Sequence, residues 1–188
     1  MTVMPQTQDA VFYWLYFQTP DLADVELERD VRGTIRRLLF STSGDARDNA
    51  IGVSDDVGMV SKGGGFLSRM HDPVTLPSWL TESDIDYFTG EFSRTGFRAA
   101  LNWYRNIDRN WELLAPFTGV PVTVPALYVT GDRDFVNAFR RMDQLGLKLH
   151  KSVPRLRQPL VLHGCGHWTQ QERPEEVTAA ILEFLRSL

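Results

Sequence analysis

The sequence predicts an α/β chain built in two zones, a helical region over residues 1–115 and a shorter βαβα region over residues 116–188. Two observations carry this reading. Before residue 115 the apolar residues recur at helical spacing between stretches rich in Gly, Ser and Asp. From Val124 onward the pattern changes to strand, helix, strand, helix. A third observation points to chemistry. The apolar run Pro125–Thr130 leads into a glycine turn carrying Asp132 and Asp134, and the run from Pro159 to Leu162 leads into His163, two glycines and His167. In open α/β sheets, ligands bind beyond the C-terminal ends of the strands. If the two runs are parallel neighbours, Asp134 and His167 meet at one rim of the sheet. A carboxylate that holds an imidazole in one tautomer is the supporting half of a nucleophilic triad.

The totals set limits. A length of 188 residues suits one domain, or one domain with a covering subdomain, and a hydrophobic content of 43% permits a sizeable core. The net charge of -4 is spread along the chain, with no basic cluster that would argue for nucleic acid. The single cysteine, Cys165, allows no internal disulfide, which fits a reducing compartment. No Lys or Arg precedes Arg29, so the basic segment of a secretory signal is missing. The apolar run Val11–Phe17 is far shorter than a membrane span. The expectation is a soluble cytoplasmic protein that needs no cofactor and no metal.

In chain order, residues 1–9 are polar and read as a frayed end or a connection. Val11–Phe17 is dense in aromatics and reads as a core helix turn, with Tyr13 and Tyr16 on neighbouring positions of one face. Asp21 with Asp24 gives a capping-box-like start to a helix running to about Phe40, with Val31, Ile35 and Leu38 at helical spacing. From Ser41 to Pro77 the composition predicts loop. Gly63-Gly64-Gly65 lacks the Gly-Lys-Ser/Thr of a phosphate loop. Thr81 to Asp84 starts a helix that buries Ile85, Phe88 and Phe92 and stops at Gly96. Residues 96–111 are helical in tendency. In the second zone a helix is predicted from about Phe135 to Leu145, and another after Pro174, burying Val177, Ile181, Phe184 and Leu188.

Five stretches together resemble the C-terminal half of soluble epoxide hydrolases of the α/β-hydrolase superfamily. They are Tyr13-Trp14-Leu15-Tyr16-Phe17-Gln18, Glu91 to Arg98, Leu101-Asn102-Trp103-Tyr104-Arg105-Asn106, Pro125 to Val136, and Cys165-Gly166-His167-Trp168-Thr169-Gln170. They occur in the family's order and span nearly the whole chain. The resemblance implies a partial α/β-hydrolase fold, a helical lid over 1–115 followed by the C-terminal part of the core over 116–188. It implies a reaction in which an aspartate attacks an epoxide carbon and two lid tyrosines donate to the opening oxygen. A histidine oriented by an acid then activates water to hydrolyse the covalent ester to a diol. Matched by motif, Tyr13 and Tyr104 are the tyrosines, Asp134 the orienting acid and His167 the water activator. Trp14, Phe17, Trp103 and Trp168 are the expected pocket residues. Asp132 competes with Asp134, His163 with His167 and Tyr16 with Tyr13. The family usually has Gln where this chain has Trp14, and Cys165 reads as a small buried residue.

The nucleophile and oxyanion site of that family lie in an N-terminal half for which no substitute is legible. Gly52-Val53-Ser54-Asp55-Asp56 does not complete a nucleophile elbow. Only two strands are predicted, so sheet edges and apolar faces would be left open to another chain. The expected partners are a small apolar epoxide and a complementing N-terminal chain or a second copy, and the chain alone is expected to be inactive. Two other readings are a non-catalytic binding module and a hydrolase like the haloalkane dehalogenases, which share the aspartate–histidine scheme but hold halide with tryptophan or asparagine donors.

Overall fold

The N-terminal residues fold back on the first strand. A computed structural model of the chain describes residues 4–46, 57–139 and 145–188. Phe12 N donates to Pro5 O and Thr7 N to Ala10 O, so residues 5–9 form a turn where a frayed end was expected. Strand β1, Ala10–Phe12, pairs antiparallel with β2, Met59–Ser61, in the register Val11↔Val60. The aromatic run expected as one helix turn is therefore divided, with only Tyr13–Tyr16 helical (α1). Aromatic and β-branched residues suit a pleated surface as well as a helix face, and the partner strand that decides between them lies in a stretch whose composition reads as loop.

The helix expected from Asp21 to Phe40 is two helices, α2 (Leu22–Glu28) and α3 (Val31–Ser41). Asp21 has a left-handed φ of 64° and caps nothing. Asp30 starts α3 instead, its carboxylate accepting from Gly33 N at 3.0 Å. Asp24 completes no capping box; it is buried and accepts from Arg105 Nη2 at 2.5 Å. On α3 the buried leucine is Leu39, one residue on from the expected Leu38. Within the expected loop, residues 47–56, which include Gly52 to Asp56, lie outside the described residues, and Phe66–Arg69 form a 3-10 turn. Glu26 satisfies the first N–H groups of that turn, accepting from Phe66 at 3.0 Å and Leu67 at 2.9 Å.

Helix α4, Glu82–Thr95, follows the sequence rules closely. Thr81 and Asp84 form both halves of a capping box, and Gly96 ends the helix at a φ of 68°. Helices α5 (Arg98–Arg105) and α6 (Ile107–Leu113) come next. Residues from α1 to α5 build the larger core, with Phe17, Ala23, Leu27, Ile35, Val60, Ile85 and Leu101 buried together.

In the second zone β3, Val129–Gly131, pairs parallel with β4, Leu160–Leu162. Between them the expected helix is displaced: Phe135–Ala138 form a 3-10 turn, residues 140–144 lie outside the described set, and α7 spans Leu145–Ser152. Short α8, Thr169–Glu172, precedes α9, Pro174–Arg186. A smaller core joins Leu162, Cys165 and Val177. Of the residues α9 was expected to bury, only Val177 is buried; Ile181 is 45% and Leu188 70% exposed. Two strands offer α9 too narrow a surface to cover more than one stripe.

The Asp24–Arg105 tie fixes α2 against α5, and the same guanidinium reaches Phe17 O at 2.9 Å. Arg105 holds the Asp24 carboxyl below its ordinary value of 3.8. A lowered folded pKa gives stability that is present above the unfolded value and lost as pH falls through the folded one. Asp24→Ala should cost about 3 kcal/mol, because it strands a largely buried guanidinium. Asp21→Ala, at the exposed Arg98 pair, should cost less than about 1 kcal/mol. Urea unfolding at neutral pH measures both losses, and the Asp24 difference should shrink on acidification below pH ~4.

Candidate active site

The tips of β3 and β4 are knitted together by backbone. Asp132 N donates to Leu162 O at 3.0 Å and Arg133 N to Cys165 O at 2.9 Å. A Cβ at Gly131 would lie 2.1 Å from the Cys165 carbonyl oxygen, so only glycine lets the two turns approach this closely. The next turn brings Asp134 round. Its Oδ1 accepts from Val136 N at 3.0 Å and stands 3.1 Å from His167 Nδ1, with Oδ2 at 3.3 Å. A carboxylate on Nδ1 selects the tautomer that leaves Nε2 free to accept a proton. The imidazole is flanked by the rings of Phe135 and Trp168, each 5.1 Å away between centroids. Trp168 is held in turn, its indole N–H donating to Leu39 O at 3.0 Å.

Across from the pair, α1 and α5 bring Tyr13 and Tyr104 together edge to face, with centroids 5.7 Å apart. Gln18 ties the two helices. Its amide donates to Trp14 O at 2.8 Å and to Tyr104 O at 3.1 Å. Burial pushes both phenols above the ordinary value of 10.0. At Tyr13 the rise is reinforced by Tyr104, opposed by the neighbouring Trp14 indole, and helped a little by the Asp134 charge, so this phenol lies within electrostatic reach of the acid. The Trp14 N–H is buried yet makes no hydrogen bond of good geometry.

The other candidates separate clearly. Tyr16 is buried and donates to Glu26 Oε2 at 2.6 Å, a structural tie away from the imidazole. Asp132 forms a second, outward pair, its Oδ2 2.7 Å from Nδ1 of an almost fully exposed His163. Trp14 and Phe17 pack against Tyr104, at 6.5 and 4.9 Å between centroids. Trp103 does not join them; it is 79% exposed on the outer face of α5. Cys165 is fully buried, and burial pushes its thiol up to about 12. Sequence reasoning missed Gln18 as a tie, because nothing in spacing marks an amide at a helix end as reaching another helix. It missed Phe139, whose ring lies 6.4 Å from Tyr13, and Glu172, a buried acid beneath His167.

Known proteins resemble the chain in sequence and in shape over most of its length. Epoxide hydrolase A of Mycobacterium tuberculosis is 42% identical over 178 residues, an alignment covering 94% of this chain and 52% of that protein. Epoxide hydrolase 2 of Siraitia grosvenorii is 36% identical, covering 93% and 52%. The chain is homologous to the epoxide hydrolases of the α/β-hydrolase superfamily. Solved epoxide hydrolase structures agree. That of epoxide hydrolase A from Mycobacterium thermoresistibile superposes with a TM-score of 0.81 at 40% identity, over 95% of this chain and 53% of that one. One from an endophytic Streptomyces gives 0.85 at 38% identity, over 96% and 53%. The chain spans about half the length of the curated relatives it matches. No protein-family model matches it. The two small sheets and the surrounding helices are thus a partial α/β-hydrolase fold. Among the described residues no helix is long and apolar enough to cross a membrane, and no group of three or more His, Cys, Asp or Glu could hold a metal ion.

The pair of buried phenols has a spectroscopic signature. Because burial raises both, each stays a protonated donor well above neutral pH. Tyr13→Phe and Tyr104→Phe should each delete tyrosinate absorbance gained late in an alkaline titration, above about pH 10. Loss from the early part of the curve would show the phenol to be solvated.

Proposed function

We propose that this chain supplies the lid and the water-activating residues of epoxide hydrolysis, with a lid over 1–115 and part of the hydrolase core over 116–188. The observation that carries the reading is the Asp134–His167 pair at the sheet rim, together with two buried phenols from different helices, one of which feels the Asp134 charge. In the proposed reaction a carboxylate supplied by a complementing segment attacks an epoxide carbon, and the C–O bond breaks. Tyr13 and Tyr104 hydrogen-bond to the oxygen as it gains charge, and one passes it a proton. The product is a hydroxyalkyl ester. His167 Nε2 then takes a proton from water and the hydroxide adds to the ester carbonyl. On collapse the imidazolium returns its proton to the leaving alkoxide, which departs as the diol, and the re-formed carboxylic acid gives its proton back to the tyrosinate. Asp134 holds the imidazole and stabilises its charged form. Trp14, Phe17 and Trp168 would form apolar wall for a small epoxide in a cytoplasmic enzyme.

The partner requirement has its own support. Val161 on the outward face of β4 and Leu185 on α9 are more than half exposed, as are Trp111 and Phe117 beyond α5. An open groove of about 530 Å³ between β4 and α9 mixes apolar lining from Leu127, Leu160 and Phe184 with polar lining from Arg157, Gln158 and Glu183. Exposed apolar side chains on neighbouring elements suit association, and the proposed occupant is a nucleophile-bearing half of the same fold.

The test is co-expression with the N-terminal half of a homologous epoxide hydrolase. The purified chain alone should not turn over styrene oxide, and the complex should form diol. In the complex, His167→Ala should slow ester hydrolysis roughly 10²–10⁴-fold and let the alkylated intermediate accumulate. Replacing both tyrosines by Phe should slow alkylation instead; full-rate alkylation would remove them from the mechanism. Halide release from haloalkanes without diol formation would favour the dehalogenase-like reading.

A further inference from the structure

The backbone that presents His167 is tied at each successive N–H, and a buried carboxylate makes most of those ties. Glu172 is 5% exposed. Its Oε2 accepts from Gly166 N at 2.8 Å and from Gly44 N at 2.9 Å, and its Oε1 accepts from Trp168 N at 3.1 Å. His167 N, between the clasped residues, donates to Thr42 O at 3.0 Å. The segment after α3 and the histidine turn lie almost in contact. A Cβ at Gly44 would sit 2.3 Å from Gly164 O, and one at Gly166 would sit 2.3 Å from Gly44 N. No side chain fits there, and the carboxylate arriving from α8 bonds both segments at once, beside the direct His167 N to Thr42 O bond. Arg133 closes the ring by donating to Gly44 O at 2.8 Å.

We propose that Glu172 is a positioning residue for His167, its carboxylate fixing the turn so that the imidazole stays on Asp134 and keeps Nε2 free. The inference rests on the proposed role of His167 only for the use to which that tautomer is put. Both oxygens of Glu172 accept, and an amide of the same shape has one acceptor oxygen. Glu172→Gln therefore keeps the packing and turns one side of the clasp into a donor facing a donor.

The ring nitrogen shifts of His167, read by NMR, report directly which ring nitrogen carries the proton. The unaltered chain should show Nδ1–H. Glu172→Gln should shift the ratio toward Nε2–H by about tenfold, the scale of losing one charge-assisted hydrogen bond. Glu26→Gln is the control, since Glu26 also accepts from two backbone N–H groups but at the 3-10 turn Phe66–Arg69. It should leave the ratio unchanged. A folded Glu172→Gln chain with an unaltered ratio overturns the proposal, as does an equal shift in the control or a mixed ratio in the unaltered chain. Should Glu172→Gln fail to fold, amide exchange in the unaltered chain decides. The Gly44, Gly166 and Trp168 amides should be protected and open together, and free exchange of any of them beside a fixed Nδ1–H tautomer overturns the clasp. None of these readouts needs turnover, so the absence of epoxide hydrolysis in the complex would leave this inference standing.

Discussion

The closeness of two backbones at the ends of β3 and β4 is the constraint from which the site follows. Gly131 stands opposite Leu162 in the parallel register. Its missing side chain lets the Cys165 carbonyl come close enough to accept from Arg133 N. From that crossing the chain needs only one further turn to bring Asp134 round and one to bring His167 round. A slip of one residue would send each side chain to the other face. Two strands of three residues are a slight scaffold for such a demand. The bracing comes from outside the sheet, through Thr42 O, Gly44 and the indole of Trp168 on Leu39 O. The helical zone therefore does more than roof the imidazole. Its α3 end is part of the frame that holds the imidazole.

What could be read in the sequence was what depends on neighbours along the chain. The Thr81–Asp84 box and the Gly96 stop are local, and they form as local rules require. The positions of Asp134 and His167 were readable because apolar runs ending in glycine turns announce strand tips. Long-range ties were not readable. Asp21 and Asp24 look like a capping box, but Arg105, far along the chain, takes Asp24 and leaves the cap unmade. Met59–Ser61 sits in polar, glycine-rich surroundings and becomes a strand because β1 offers it a ladder. Trp103 lies among motif residues yet faces outward, since on a short helix Leu101 and Tyr104 already fill the inward positions.

The phenols and the imidazole are built to different tolerances. Tyr13 and Tyr104 rest on the larger core, locked by Gln18 between their helices and by Arg105 on Phe17 O. Burial makes them weaker acids, which suits donors that must stay protonated until an oxygen beside them gains charge. Asp134, which stands on the imidazole, adds a small further rise at Tyr13.

The unevenness of the two cores fits this division of work. The helical zone packs Tyr13 and Tyr104 against its larger core, whereas the sheet zone leaves much of α9 and the outer face of β4 in water. Association on those faces would add burial where the scaffold is weakest, directly behind the strand tips that carry Asp134 and His167. Binding energy spent there would sharpen the site at a distance, because a stiffer β3–β4 pair narrows the positions open to both side chains. In the proposed reaction, a partner that carries the nucleophile would thus also firm Asp134 and His167.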